Sequence, residues 1–161
     1  PYFPGEQRLD LTAVSAGLAA IAEEACTVMP EAELVLELGR YLVGEAGLYV
    51  TRVVDVKVSR GQTYLVTDGG MNHHLAASGN LGQVIRKNYP VAIGNRMTST
   101  ETVNTCVVGP LCTPLDILAD KMPLPAAEPG DLVVVFQSGA YGASASPQGF
   151  LSHPGVAEVL V

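Results

Sequence analysis

The stretch Leu48-Tyr49-Val50-Thr51-Arg52-Val53-Val54-Asp55-Val56-Lys57-Val58 decides the fold class of this 161-residue chain. Valines at every second position from Val54 to Val58 alternate with Asp55 and Lys57. Because successive side chains of a strand point to opposite faces, this pattern predicts a strand with one apolar face and one wet face. Such a strand suits an antiparallel sandwich or barrel.

The remainder of the chain after residue 46 has the same β character. Runs rich in Val, Tyr and Thr are separated by clusters of Gly, Pro and Asn, which favours strands joined by turns. The segment 76–102 is weaker in pattern, and we expect it to be a long excursion that carries function. The other runs expected to be strands are 64–67, 105–108, 132–136 and 156–161.

A helical pattern and then an apolar run precede residue 46. Asp10 can cap a helix that should end near Met29-Pro30, since its apolar residues recur at three- and four-residue steps. The run 34–38 is apolar apart from Glu37, as in a strand buried on both faces of a parallel α/β sheet. The apolar residues of the helix are Leu11, Val14, Leu18, Ile21 and Ala25.

Composition excludes several classes of protein. The chain is 48% apolar and carries 9 basic against 16 acidic side chains, a net charge of −7, so it lacks the electrostatic footprint of a nucleic-acid binder. Its unbroken apolar runs are far shorter than the ~20 residues that cross a bilayer, and we expect a soluble protein. Because Pro1 already lies in a Pro/Gly-rich loop, we expect a fragment of a longer protein.

The cysteines and histidines give limited signals. Cys26, Cys106 and Cys112 are odd in number and show no Cys-x-x-Cys spacing, which indicates reduced cytoplasmic thiols and neither a disulfide framework nor zinc. Cys106 lies inside a strand run and should be structural, whereas Cys112 lies in a polar loop as either a reactive or a packed, inert thiol. His73 and His74 would point to opposite faces of a strand, so we expect no metal site.

Two short segments have the chemistry of an anion site. Glu37 needs a partner if its run is buried, and Arg40 offers an ion pair. Alternatively, a strand end followed by Gly39 and Arg40 presents N–H groups and a guanidinium to a phosphate. Tyr141 lies in the small-residue turn 139–142, which is either an ordinary hairpin corner or the display of a phenol to a ligand.

In their order along the chain, these segments resemble the C-terminal part of the fold-type III pyridoxal-phosphate decarboxylases, the group of diaminopimelate, ornithine and arginine decarboxylases. The resemblance implies the last helix and strand of a β/α barrel in residues 1–45, then a β-sandwich or Greek-key barrel domain in 46–161. It also implies a head-to-tail homodimer with shared active sites. The segments are Glu37-Leu38-Gly39-Arg40, Asp68-Gly69-Gly70-Met71-Asn72, Gly109-Pro110-Leu111-Cys112, Gly130-Asp131, Gly139-Ala140-Tyr141-Gly142 and Glu158-Val159-Leu160-Val161.

The resemblance further implies the cofactor pyridoxal 5′-phosphate and a role for each matching residue. Glu37 pairs with the pyridinium nitrogen, while Gly39, Arg40 and Tyr141 lie at the phosphate. Leu38 replaces the family's proline, which changes backbone stiffness but not these side-chain roles. The Schiff-base lysine lies upstream of the matching region, so this chain alone is expected to be inactive.

The resemblance gives Cys112, reaching in from the partner subunit, the role of reprotonating Cα after carbon dioxide leaves. Two departures concern the substrate. Thr113 replaces the acid that grips a distal amine, and Ala76, Ala77 and Asn80 stand where diaminopimelate decarboxylases hold the distal end of their substrate. The residues left to contact substrate are Arg40, Thr113 and Tyr141.

The segments 72–77 and 86–90 look more like a subgroup associated with exosortase and exopolysaccharide gene clusters, and like acyl-carrier-protein-dependent glutamyl decarboxylases. This implies an aminoacyl group presented on a carrier protein. Arg86 and Lys87 would then contact an acidic carrier, or form a solvated basic pair with no such role. The alternatives are a diaminopimelate decarboxylase of lysine biosynthesis and a non-catalytic, partner-binding homologue of the antizyme-inhibitor type.

Overall fold

The computed structural model describes residues 3–161, most of which belong to one β-sheet and its connecting loops. The strands are β1 (Tyr49–Ser59), β2 (Gln62–Thr67), β3 (Val91–Ile93), β4 (Val103–Val108), β5 (Ile117–Leu124) and β6 (Leu132–Val135). They form one six-stranded sheet in the order β3-β6-β1-β2-β4-β5. Every pair is antiparallel except β2–β4, which is parallel. Because the edge strands β3 and β5 lie close together, the sheet curls into a nearly closed barrel.

The two faces of β1 explain where the core lies. Tyr49 and Val53 are buried, and the intervening side chains alternate between buried and exposed. Asp55 and Lys57 are both exposed, which confirms the predicted wet face. The pairing register with β2 then shifts at a bulge after Val53. Val54 and Val58 are exposed and Val56 is partly buried, although the alternation placed all three on the apolar face. The barrel core holds Val53, Leu65, Tyr89, Ile93, Val107, Leu118, Leu124, Val133 and Val135.

One long helix precedes the barrel. α1 (Leu11–Val28) is capped by Asp10, whose carboxylate accepts the N–H groups of Thr12 (3.0 Å) and Ala13 (3.2 Å), as predicted. None of its residues is buried. By length and composition alone α1 would reach across a membrane, a test that core helices of soluble proteins also pass. A short helix, α2 (Arg40–Val43), and 3₁₀ turns at Gly44–Ala46, Ala143–Ala145 and Phe150–Ser152 complete the regular structure of residues 3–161.

Two of the predicted strands are wrong. Segments 34–38 and 156–161 have no regular secondary structure, and their large apolar side chains are exposed except for Val156, which packs against the barrel core. A strand requires a neighbour with free backbone groups, and the two edges of this sheet already face each other. Conversely, β3 has only three residues and β5 is interrupted by Pro123, which an edge strand tolerates, so neither gave a recognisable run.

The chain exposes more surface than its mass requires. Its accessible area is 10357 Å², whereas a compact monomer of this mass exposes about 7,700 Å². Exposed large apolar side chains are concentrated in α1 and in the segment 34–43. These parts of the chain present the apolar surface that a neighbouring structure would cover.

Candidate functional site

Two loops meet backbone to backbone at one end of the barrel. The Gly139 N–H donates to the Gly44 carbonyl (3.0 Å), and the Ser138 N–H donates to the Gly47 carbonyl (2.9 Å). A Cβ on Gly139 would lie 2.8 Å from the carbonyl carbon of Val43 and would overlap its oxygen. Only glycine therefore lets the turn 138–141 lie on the segment that follows α2.

This packing brings together three of the predicted site residues, Gly39, Arg40 and Tyr141, although Tyr141 lies about a hundred positions after the other two in sequence. The Arg40 guanidinium carbon lies 4.6 Å from the centroid of the Tyr141 ring, which is a cation–π contact. A Cβ on Gly39 would lie 3.9 Å from the Tyr141 hydroxyl oxygen. A guanidinium, a phenol and a side-chain-free backbone at one point form a donor set suited to an anion.

The backbone of Tyr141 is unusual for a non-glycine residue. Its φ of +56° lies in the left-handed region, and its side chain is about half exposed. Such conformations are costly and occur disproportionately at functional sites. The chain continues into the 3₁₀ turn Ala143–Ala145 and not into a second strand, so the hairpin-corner interpretation is wrong.

Glu37 is exposed, and none of the salt bridges within residues 3–161 joins it to Arg40. The ion-pair interpretation is therefore wrong, because it assumed a buried strand whose carboxylate had lost its water.

A cavity of about 680 Å³ lies beside Arg40, within the size range of small-molecule sites. It is lined by Phe3, Leu9, Arg40, Tyr41, Glu45 and Gln137, among others.

A buried histidine supports the Tyr141 turn from behind. His74 Nδ1 accepts the Ala77 N–H (3.2 Å), so Nε2 carries the proton and donates to the Ser138 hydroxyl (2.9 Å). Burial, together with the charge of Arg40, lowers the pKa of His74 to about 4. Neutral His74 is thus a fixed donor to the residue that begins the turn.

His73 and His74 were predicted to point to opposite faces of a strand, and this prediction is wrong. They lie in a turn after β2, and both rings pack edge-on against Tyr49. His73 Nε2 donates to the Pro154 carbonyl (2.8 Å), while Nδ1 faces the Tyr49 hydroxyl (3.2 Å). Within residues 3–161, no group of His, Cys, Asp and Glu side chains has the arrangement of a metal site.

The three cysteines are free thiols in different surroundings. Cys106 is buried in β4, where its thiol donates to the Asp120 carboxylate (3.4 Å), which confirms its structural role. Burial raises the pKa of the Cys106 thiol. Cys112 is exposed, so the packed alternative is wrong. Thr113 Oγ1 accepts a backbone N–H within its own loop, and no hydrogen bond in residues 3–161 joins Cys112 or Thr113 to Tyr141.

The positions that correspond to the distal substrate site of diaminopimelate decarboxylases are closed by packing. Ala76 and Ala77 are fully buried in the barrel core. The Asn80 amide donates to the Leu115 carbonyl (3.2 Å) and so joins two loops. All three residues are thus engaged by packing or hydrogen bonds within the barrel.

The two basic residues proposed to contact a carrier differ from each other. The Arg86 guanidinium donates to the carbonyls of Ser78 (2.7 Å) and Ile117 (2.6 Å), and burial lowers its pKa. Arg86 is thus partly buried and bound to the backbone of its own chain, which differs from the freely solvated side chain of one interpretation. Lys87 is exposed and forms a salt bridge with Glu6 (3.3 Å).

Sequence reasoning missed three polar residues that position these loops, namely His74, Ser138 and Asp116. His74 and Asp116 are buried and each follows or precedes apolar residues. Only Asp116, which lies between Leu115 and Ile117, is a lone polar residue among apolar neighbours, and that signal did not distinguish a loop anchor from an exposed side chain.

Comparison with known proteins places this barrel in a family. Residues 18–139 match the family model described as pyridoxal-dependent decarboxylase, C-terminal sheet domain. The chain is 42% identical over 164 residues to the L-glutamyl-[BtrI acyl-carrier protein] decarboxylase of Niallia circulans, covering 99% of this chain and 38% of that protein. It is 38% identical over 144 residues to the diaminopimelate decarboxylase of Deinococcus radiodurans, covering 89% and 35% of the respective chains.

A solved structure shows the same fold. A crystal structure of diaminopimelate decarboxylase superposes with a TM-score of 0.80 at 27% identity, over 94% of this chain and 38% of that one. The chain thus spans about two fifths of the length of the relatives it matches. It belongs to the pyridoxal-dependent decarboxylases, and the nearly closed barrel is their C-terminal sheet domain.

Proposed function

We propose that this chain is the C-terminal portion of a pyridoxal-phosphate-dependent amino-acid decarboxylase, a carboxy-lyase. The observation that carries this proposal is the Arg40 guanidinium stacked on Tyr141, with the backbone of Gly39 beside the phenol. Donors that converge in this way suit the phosphate of a cofactor. Family membership supplies independent support.

The residues present fit pyridoxal phosphate. Arg40 and Tyr141 would hold the phosphate, and Gly39 leaves room for it. The exposed carboxylate of Glu37 is available to pair with a protonated ring nitrogen. When bound, the cofactor supplies the sink for the electron pair left at Cα as carbon dioxide departs. The negative charge of Glu37 would keep that ring nitrogen protonated.

The proton that replaces the lost carboxyl group needs a donor. We assign this role to the Cys112 thiol, which is exposed and free. It would act in the site of a partner subunit in a homodimer with shared active sites. This arrangement accounts for the lack of a hydrogen bond, within residues 3–161, between the Cys112 loop and Tyr141 of the same chain.

We also propose that residues 1–45 belong to the cofactor-binding β/α barrel and residues 46–161 form the β domain. The excess exposed surface, concentrated in α1 and in 34–43, supports this division. The three free cysteines accord with a cytoplasmic location, which we also propose.

For the substrate, we favour a glutamyl group carried on an acyl carrier protein. The Niallia circulans relative, which acts on such a substrate by its name, aligns with nearly the whole chain. The burial of Ala76 and Ala77, with Thr113 in place of an acid, leaves few groups to hold a free zwitterionic side chain. Diaminopimelate is the second candidate, favoured by the Deinococcus radiodurans relative.

The test is a side-by-side assay of carbon dioxide release by the full-length protein. The substrates are free meso-diaminopimelate, ornithine, arginine and a glutamyl-loaded carrier protein. We expect turnover of the loaded carrier, and turnover of diaminopimelate alone would contradict that substrate assignment. No release from any substrate, with no uptake of pyridoxal phosphate, would support the non-catalytic, partner-binding alternative.

A matched pair of variants tests the role of Glu37. Glu37→Gln removes the charge proposed to face the ring, whereas Glu33→Gln removes an exposed charge from the same segment. We expect the first to lower kcat strongly and the second to leave it unchanged. Equal activity of the two variants would remove Glu37 from the mechanism.

A further inference from the structure

The carboxylate of Asp116 joins the two loops that carry the Asp-Gly-Gly-Met-Asn and Gly-Pro-Leu-Cys motifs. Its side chain is buried, with 2% of the residue exposed. Oδ1 accepts the Met71 N–H (2.6 Å), and Oδ2 accepts the Leu111 N–H (2.8 Å). Because the acceptor is charged and shielded from water, these two bonds are among the stronger hydrogen bonds available to a loop.

Two glycines make room for this carboxylate. A Cβ on Gly70 would lie 2.7 Å from the Asp116 carboxyl carbon, and a Cβ on Gly109 would overlap the carboxylate oxygens. The loop also closes on itself, since the Gly109 N–H donates to the Asp116 carbonyl (3.1 Å) and the Asp116 N–H donates to the Thr113 carbonyl (3.3 Å). Both motifs therefore keep glycine where the Asp116 side chain passes between them.

We propose that Asp116 is a positioning residue that holds the Cys112 thiol where it can deliver a proton to Cα. This inference rests on the proposed function of Cys112. The amide that Asp116 holds, that of Leu111, immediately precedes Cys112, whose side chain is exposed. Being buried, Asp116 acts through the loop and not on the substrate.

The test uses the full-length protein with Asp116→Asn, Cys112→Ala and the double variant. The matched control is Asp131→Asn, since Asp131 is also buried and accepts a backbone N–H, that of Glu128 (2.8 Å). Because misplacing a reacting group by about 1 Å can cost on the order of 100-fold, we expect that loss in kcat for Asp116→Asn, with KM little changed. Asp131→Asn should keep the wild-type kcat.

Coupling to Cys112 gives the decisive readout. In the Cys112→Ala background, Asp116→Asn should cost nothing further, because the group that it positions is gone. The alkylation rate of the Cys112 peptide, relative to exposed Cys26, should also change in Asp116→Asn and not in Asp131→Asn. A full additional loss of kcat in the double variant, or unchanged kcat and alkylation in the single variant, would overturn the proposal.

Two further outcomes are separable. If the wild-type protein releases no carbon dioxide, the proposed function fails, while an altered alkylation ratio still establishes the link from Asp116 to Cys112. If Asp116→Asn does not fold, amide hydrogen exchange of the wild-type protein decides the matter. Protected Met71 and Leu111 amides support the proposal, and exchange at free-loop rates overturns it.

Discussion

Gly139→Ala should separate the two halves of the proposed phosphate site. The new Cβ would lie 2.8 Å from the Val43 carbonyl carbon and 3.0 Å from the Gly47 nitrogen, so the backbones must move apart. That movement breaks the bonds that Gly139 and Ser138 donate to Gly44 and Gly47. At about 1 kcal/mol for each bond, with overpacking of about 1–2 kcal/mol, the free energy of unfolding should fall by about 3–4 kcal/mol.

For a domain of the size of this chain that loss corresponds to a fall in Tm of about 6–16 °C, and the fall is smaller in the longer full-length protein because its entropy of unfolding is larger. The measurement is thermal unfolding of the full-length protein, together with its retention of pyridoxal phosphate during gel filtration. Gly149→Ala is the matched control, because no atom lies within 4 Å of the Cβ that it would add. If Gly139→Ala matches this control in both Tm and cofactor retention, the reasoning about the close backbone approach is refuted.

Three further predictions concern buried polar groups. Burial and the charge of Arg40 lower the pKa of His74 from 6.5 to about 4, so between these pH values the unfolded chain binds a proton that the folded chain does not. The free energy of unfolding should therefore fall by about 3 kcal/mol as pH drops from about 6.5 to about 4. His74→Leu should lose this pH dependence in unfolding measurements. Burial alone would raise the pKa of Asp131, but hydrogen bonds from three donors, Arg96 among them, hold it below its usual value. The stability that it contributes should therefore be lost as pH falls through that lowered pKa, a loss absent from chemical denaturation curves of Asp131→Asn. Arg86→Met leaves two backbone carbonyls without their donor and should lower the free energy of unfolding by about 2–4 kcal/mol in denaturation experiments. Lys87→Met is the control and should have a small effect. If the two variants lose the same small amount, the structural role of Arg86 is contradicted.

Local signals in the sequence predicted local structure well. The Asp10 cap, the apolar spacing of α1 and the polar face of β1 each depend on neighbours within a few residues, and all three are present. The segment 34–38 failed for the opposite reason, because an apolar run becomes a strand only beside other strands. The predicted apolar face of Val54 and Val58 failed likewise. The bulge after Val53 was not predictable, because a shift in register is a property of two paired strands.

The candidate site likewise contains residues that the sequence predicted and residues that it did not. The order of the motifs pointed to Gly39, Arg40 and Tyr141, and the structure brings them together through the backbone packing of Gly139 on Gly44. The buried anchors His74 and Asp116 could not be recognised, because each acts on a segment about 40 or more residues away. Their partners are fixed by the closure of the barrel and not by any spacing in the sequence.

The central claim is that this chain supplies one wall of a pyridoxal-phosphate site. A crystal structure of the full-length protein with its cofactor measures that claim most directly. The account predicts the phosphate against the Arg40 guanidinium and the Tyr141 hydroxyl, with the Glu37 carboxylate within hydrogen-bonding distance of the ring nitrogen. A phosphate held elsewhere, or another side chain facing the ring nitrogen with Glu37 turned to solvent, would contradict it.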